Sequence, residues 1–544
     1  MNLRSGRKYT LFFLVTLSLL LTACQSTSQE KAGGEEAQPQ SGGELIYGLA
    51  TSPDSLDPHT SGMAVSTRVN NSIYEKLVYQ TSDNKIEPWL ATSWEVSNDQ
   101  KTFTFKLRDD VSFHDGSKFN AEVVKYNFDR IVNPETKAAS AYALIENYQS
   151  SEVIDEYTVR IHFSAPTTTF LNNLSQPKLA IVSKEAAEEY GPSLATNPVG
   201  SGPYKFVSLD ENNEIVLERF EDYSWKAPYS NHNGKAYLDK LIYKIIPEEA
   251  TRIGSVQSNQ VSAVETIPPQ DIQTIKANGN LKIYEAETAG MPYGLFLNPE
   301  NDPWNQLEAR IALQETIDID SIVNTLYLGT YKRAWSVLTP TILGYDKELE
   351  NKDVVDTAHA NTLLDGIGWK KNSEGIREKD GKELVLRLID SNVNREKRHD
   401  IATIIQQQLK EIGVKLEIKT TADYYNITHN GKDYDVIGNS RVAGDPDVLR
   451  LFFHSEKLPE NGGSNLARIA DKDIDQWLEE GELEIDPEKR ADLYKNVQQK
   501  LIEQAYFIPI YLFPYTVATA NQVEDLAFDS QGYPLFNDVF FKND

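Results

Sequence analysis

One cysteine, Cys24, serves all 544 residues. No intrachain disulfide can therefore hold this chain, and its stability must come from the core rather than from cross-links. The 500 or so residues beyond position 43 exceed the ~250–300 that a single hydrophobic core organises. At least two lobes are expected.

The position of that cysteine matters as much as its isolation. Arg4, Arg7 and Lys8 precede an almost wholly apolar stretch from Leu11 to Leu21. This is the layout of a secretory signal, and it is short for a membrane span. Leu21-Thr22-Ala23-Cys24 resembles a bacterial lipobox, in which the cysteine receives a diacylglyceryl group and becomes the mature N-terminus. The alternative is an uncleaved anchor with an incidental cysteine. On the first reading residues 1–23 are a lipoprotein signal peptide. Residues 24–43 then form a tether, for Gln25 to Gly43 holds no aromatic or branched aliphatic residue and cannot offset its ordering entropy. The expected location is extracytoplasmic, lipid-anchored to a bacterial cell membrane, on an outer face or in a periplasm.

A formal charge of −27 would repel phosphates and argues against nucleic-acid binding. The 27 tyrosines and 7 tryptophans suit packing and small-ligand recognition. Strands are read where Leu45, Tyr47 and Leu49 alternate with other residues, at Thr102–Leu107 with Phe103, Phe105 and Leu107 on one face, and from Tyr157 to Phe163. Asn120 stands where an N-cap belongs, ahead of a helix bearing Val124, Phe128 and Ile131. Leu384–Ile389, a helix Asp400–Ile412 closed by Gly413, and Leu416–Ile418 read as a βαβ unit with a parallel pair. The class is α/β.

Catalytic signatures are missing from the sequence. It has no GxxxxGK loop, no GxSxG elbow and no HxH or HExxH pair among its eight scattered histidines, so neither a phosphate-transfer, serine-hydrolase nor zinc motif is present. An enzyme is not expected, and no cofactor is indicated.

Several stretches together carry a specific resemblance: Ser55-Leu56-Asp57-Pro58, Pro88-Trp89-Leu90-Ala91-Thr92-Ser93-Trp94-Glu95, Lys101 to Asp115, Asn197-Pro198-Val199-Gly200-Ser201-Gly202-Pro203-Tyr204, and Asp445-Pro446-Asp447 ahead of Leu451-Phe452-Phe453-His454-Ser455. In order and spacing they resemble the solute-binding proteins of peptide/nickel-type ABC importers. The resemblance implies a two-lobed, periplasmic-binding-protein-like fold of the large variety. Lobe one would span 44–290 with an extra subdomain at 76–200, lobe two 291–511, and 512–544 would return to lobe one. It also implies a monomer that closes on a ligand and hands it to an ABC permease and its ATPase subunits. The cargo implied first is short peptides; the alternative is a nickel chelate, metallophore or other carboxylate-rich molecule. A peptide-pheromone receptor would share the fold, and an extracytoplasmic hydrolase is the remaining class.

The resemblance also suggests pocket positions. Peptide binders of the family carry an aspartate just ahead of the Asp-Pro element; here that stretch holds Arg441 and Val442. Arg441 is either a bidentate carboxylate grip at the end of a strand Tyr434–Asn439 or a surface ion-pair partner. Asp445 is a substitute anchor or a turn former before Pro446. Tyr142, Lys178 and Tyr425 (or its neighbour Tyr424) match pocket positions of the metallophore branch, against plain packing for the tyrosines and a solvated surface position for the lysine. Ser61 and Met63 lie in a loop that lines the pocket in that branch. The branch's metal-binding histidine has no clear counterpart.

Overall fold

The computed structural model describes residues 39–210, 213–352, 355–461 and 463–542. Cys24, the expected signal segment 1–23 and most of the expected tether 24–43 lie outside them. The body is organised by two mixed sheets. The first orders seven strands as Leu281–Glu287, Pro514–Ala520, Ala263–Glu265, Glu44–Leu49, Lys240–Ile245, Glu214–Arg219 and Tyr204–Asp210. Glu44–Leu49 runs parallel to both of its neighbours and buries Leu45, Tyr47 and Leu49, the period-2 face the sequence displays. Pro514–Ala520 lies antiparallel between Leu281–Glu287 and Ala263–Glu265. The end of the chain thus returns to complete the first sheet.

The second sheet orders Lys332–Arg333, Phe507–Leu512, Gly290–Leu297, Val436–Val442, Val385–Ser391 and Lys415–Thr421. Val385–Ser391 and Lys415–Thr421 are the parallel pair of the βαβ unit. Helix Arg398–Leu409 and a 3-10 turn Lys410–Ile412 join them, burying Ile401, Ile405, Leu409 and Ile412. Gly413 ends the crossover at φ +77°, and a Cβ there would lie 2.8 Å from the Gly375 carbonyl oxygen. Both the left-handed backbone and the lack of room call for glycine.

A third, antiparallel sheet (Ala91–Val96, Thr102–Leu107, Thr158–Phe163, Tyr148–Asp155) packs Phe103, Phe105 and Leu107 into one core with Val124, Phe128 and Ile131 of helix Ala121–Val132. Asn120 caps that helix as its sequence position requires, its side chain accepting from Val123 N at 3.1 Å. The three sheets bury separate apolar clusters, the division that chain length demands. The backbone passes between the first and second sheets at Glu287–Gly290 and again at Leu512–Pro514, and the Thr288 hydroxyl donates to the Phe513 carbonyl. Two short crossings lying side by side are a hinge geometry.

The motifs that carry the resemblance converge on structural hubs. The carboxylate of Glu75, fully buried, accepts from Trp89 Nε1 (3.1 Å), Ser201 Oγ (2.9 Å), Tyr223 OH (2.7 Å) and Trp225 Nε1 (3.0 Å). Burial pushes its pKa up against the pull of these four neutral donors. Gly200 and Gly202 let the Asn197–Tyr204 loop press on the end of helix Ala64–Ile73: a Cβ on either would fall within 2.6 Å of Ile73 backbone atoms. His114 closes this loop, donating from Nε2 to Gly202 O at 2.9 Å. His59, in the Asp57-Pro58 loop, donates from Nε2 to Ala180 O (3.0 Å) and accepts from Arg130 at Nδ1 (2.7 Å), while Arg130 also pairs with Asp57. Burial, and for His59 the Arg130 charge, pushes each imidazole down to about 4.

Candidate ligand site

The loop that follows the first strand begins the site. Asp54 accepts from Ser61 Oγ (2.6 Å), Ser66 Oγ (2.6 Å) and Gly62 N (3.1 Å), and these bonds outweigh burial to lower its pKa. Ser61 is buried, and its hydroxyl in turn takes Met63 N at 3.2 Å. Met63, the N-cap residue of helix Ala64–Ile73, is exposed. The folded loop thus uses Ser61 to shape itself and leaves Met63 open.

Lys178 sits on the 3-10 turn Pro177–Leu179. Helix Ala64–Ile73 and the short helix Ala139–Tyr142 both pack on that turn, and Gly62 approaches the Ser140 hydroxyl. Ser61, Met63, Tyr142 and Lys178, far apart in sequence, therefore gather in one region of the first lobe. Tyr142 is exposed there.

The second lobe contributes Arg441. It lies within strand Val436–Val442, paired with Met291 next to the hinge crossing, rather than beyond a strand ending at Asn439. Its side chain is solvent-accessible, yet desolvation by the surrounding protein lowers its pKa against the pull of Tyr533. Burial, and then the like charge of Arg441, push the Lys178 ammonium down to about 8, with Asp54 opposing. Among the described residues neither cation has a carboxylate at ion-pair distance. The two like charges lie close enough for Arg441 to disfavour the charged form of Lys178, an arrangement that a nearby anion would relieve.

Asp445 is committed elsewhere. It is buried, and Arg490 grips it bidentately (NH1 to Oδ2 2.9 Å, NH2 to Oδ1 2.7 Å) while Asn172 donates to Oδ2 at 2.5 Å. Burial alone would raise this carboxyl; the Arg490 charge and hydrogen bonds hold it below its ordinary value. As a ligand anchor it would first have to release Arg490; in the fold described it is an internal tie. Tyr425 stands apart as well. It is exposed on helix Tyr424–Asn430 and stacks on His429, centroids 3.9 Å apart, with no contact linking it to Lys178 or Arg441 among the described residues.

Sequence reasoning missed the turn Asp529–Tyr533. Tyr533 hydrogen-bonds the Thr67 side chain and lies near both Arg68 and Arg441, and the Gln531 amide donates to Gln176 Oε1 at 2.7 Å. Nothing in Asp529-Ser530-Gln531-Gly532-Tyr533 marks it as more than a glycine turn, and only the strand insertion at Pro514–Ala520 carries it back to the cleft. Asp54, a plain Pro-Asp loop residue in sequence, was missed for the same reason.

The model of bacterial extracellular solute-binding proteins, family 5, matches residues 85–457. The chain belongs to that family. Heme-binding protein A of Haemophilus influenzae is 30% identical over 529 residues, covering 91% of this chain and 92% of the relative. Glutathione-binding protein GsiB of Pectobacterium atrosepticum is 26% identical over 487 residues (88% and 90%). Among solved structures, NikA from Brucella suis in complex with Fe(III)-EDTA superposes with a TM-score of 0.81 at 25% identity, covering 92% of this chain and all of NikA. The two-lobed α/β architecture is the family's. This family 5 protein is a solute-binding component of an ABC importer that works outside the cytoplasm, in a family of binding proteins rather than enzymes.

Proposed function

We propose that this family 5 protein captures a small peptide-like solute bearing at least one carboxylate, holds it between its lobes with Arg441 and Lys178, and delivers it to a membrane permease. The observation that carries this reading is the pair of facing cations without carboxylate partners. A fork-shaped guanidinium takes a carboxylate bidentately, and an ammonium adds a point charge. With Asp445 held by Arg490 and Asp54 taken up by Ser61, Ser66 and Gly62, the two cations favour a ligand carboxylate. The names of the relatives fit that chemistry: glutathione, heme and EDTA complexes all carry carboxylates. A carboxylate-rich metal chelate would meet the same two cations and is the second reading, with the metal as cargo.

Arg441→Ala is expected to weaken binding of the solute recovered from the wild-type protein by ~10–100-fold, the worth of one charged hydrogen-bonded contact, without lowering the unfolding temperature. Isothermal titration with parallel thermal unfolding measures both. Unchanged affinity would remove Arg441 from the site.

Anchoring belongs to the same proposal. Cys24, with Leu21-Thr22-Ala23 before it, lies outside the described residues, and its lipidation would hold the receptor near its permease. Cys24→Ser is expected to shift the protein from the detergent phase to the aqueous phase or to leave an unprocessed precursor. Wild-type partitioning and processing of that variant would refute the anchor.

A further inference from the structure

Where the lobes meet, three glutamines of the first lobe surround one glycine of the second. Gln80 donates from Nε2 to the Gly444 carbonyl at 2.9 Å. Gln176 is fixed by Gln531. A Cβ on Gly444 would lie 2.7 Å from both Gln176 Nε2 and Gln80 Oε1 and 3.1 Å from Gln531 Nε2. Gln80 and Gln531 are buried, so the cradle closes tightly on Gly444, and a methyl group there would have to push the glutamine amides aside.

The cradle is joined to the ligand site through the chain itself. Lys178 is two residues past Gln176, Tyr533 two past Gln531, and Arg441 three before Gly444. The contact that seats Gly444 therefore also sets how near Arg441 comes to Lys178. Around these two cations stand Asp54 on the first lobe and the phenol of Tyr533; Asp445, the nearest acidic residue in sequence to Arg441 on its own lobe, is neutralised by Arg490.

We propose that the glutamine cradle is the stop that fixes lobe closure, and that at this stop Lys178 and Arg441 repel each other, so that the closed state is stable only with an anionic group of the ligand between them. This deepens the carboxylate reading and rests on it. It turns a pair of contact residues into a selectivity device. A solute without the anion leaves the repulsion in place, so it is rejected at closure even if it docks on one lobe. Closure and recognition of the carboxylate become one event.

The test uses the full chain freed of ligand, with small-angle scattering as the readout of lobe closure at low and high potassium chloride. Wild type is expected to be mostly open at low salt and to become more closed as salt screens the two cations. Lys178→Met and Arg441→Met are each expected to raise the ratio of closed to open protein by ~fivefold or more at low salt, the scale of one like-charge pair in a cleft, and to lose the salt response. Gly444→Ala is expected to stay more open than wild type under every condition. Circular dichroism certifies that each variant is folded. Wild-type scattering from both charge variants would overturn the repulsion, and wild-type closure by Gly444→Ala would overturn the stop. A recovered ligand without a carboxylate would instead defeat the reading of the cleft and leave these ligand-free results untouched.

Discussion

Asp445→Ala is expected to destabilise the protein by about 3–5 kcal/mol, the cost of leaving a buried charge without its partner. The partner is Arg490, whose guanidinium makes both of its paired hydrogen bonds to Asp445 and a third, from Nε, to Gly481 O at 3.0 Å. Its pKa is raised despite burial because Asp445 lies beside it. Urea unfolding of the variant should show the loss as a lower midpoint with an unchanged slope. Replacing Arg490 by methionine in the same chain should restore part of the stability, since no buried charge is then orphaned. If Asp445→Ala unfolded like wild type but lost its ligand, Asp445 would be a ligand anchor after all and the internal tie would be wrong.

Acidification should remove stability through His59 and His114. Both are neutral in the fold, where their Nε2 protons go to the Ala180 and Gly202 carbonyls. Each pKa lies near 4 in the folded protein against an ordinary value of 6.5. The unfolded chain therefore binds two protons that the folded chain refuses between those limits. Their contribution is fully present above pH 6.5, falls as pH drops toward 4 and levels off below it. The slope for two such groups is about 2.7 kcal/mol per pH unit, on the order of 6 kcal/mol across the window. Buried carboxyls with raised pKa values, Glu75, Asp390, Asp447 and Asp529, act in the opposite sense. The histidine term is thus read as the difference between wild type and His59→Gln/His114→Gln, because glutamine can donate to the same carbonyls without titrating. Chemical unfolding of both at a series of pH values should show wild type losing the extra stability only inside that window. Parallel curves would mean that the two imidazoles do not govern acid sensitivity.

What was legible in the sequence follows from how far apart the responsible residues lie. Alternation at Thr102–Leu107, the Asn120 cap and the Gly413 stop depend on neighbours a few residues away, and each reads correctly. The family motifs serve packing in this chain: Trp89, Ser201 and His114 work at the Glu75 and Gly200–Gly202 hubs. The ligand site is different. Lys178, Arg441, Asp54 and Tyr533, the residues proposed for it, come from four separate segments, and two of them are candidates only by position within the resemblance. Asp445 stayed open between anchor and turn former because an acidic residue beside a proline reads the same whether it faces a ligand or Arg490. Its buried partner lies 45 residues away, where no local pattern records it.

Native mass spectrometry on protein purified gently from cells, followed by denaturation, identifies what the cleft holds. Small solutes bearing at least one carboxylate are expected, as a set of short peptides or as a single chelate with a metal isotope pattern. Release of a neutral or purely cationic solute would contradict it, because Lys178 and Arg441 would then face each other with nothing to bridge them.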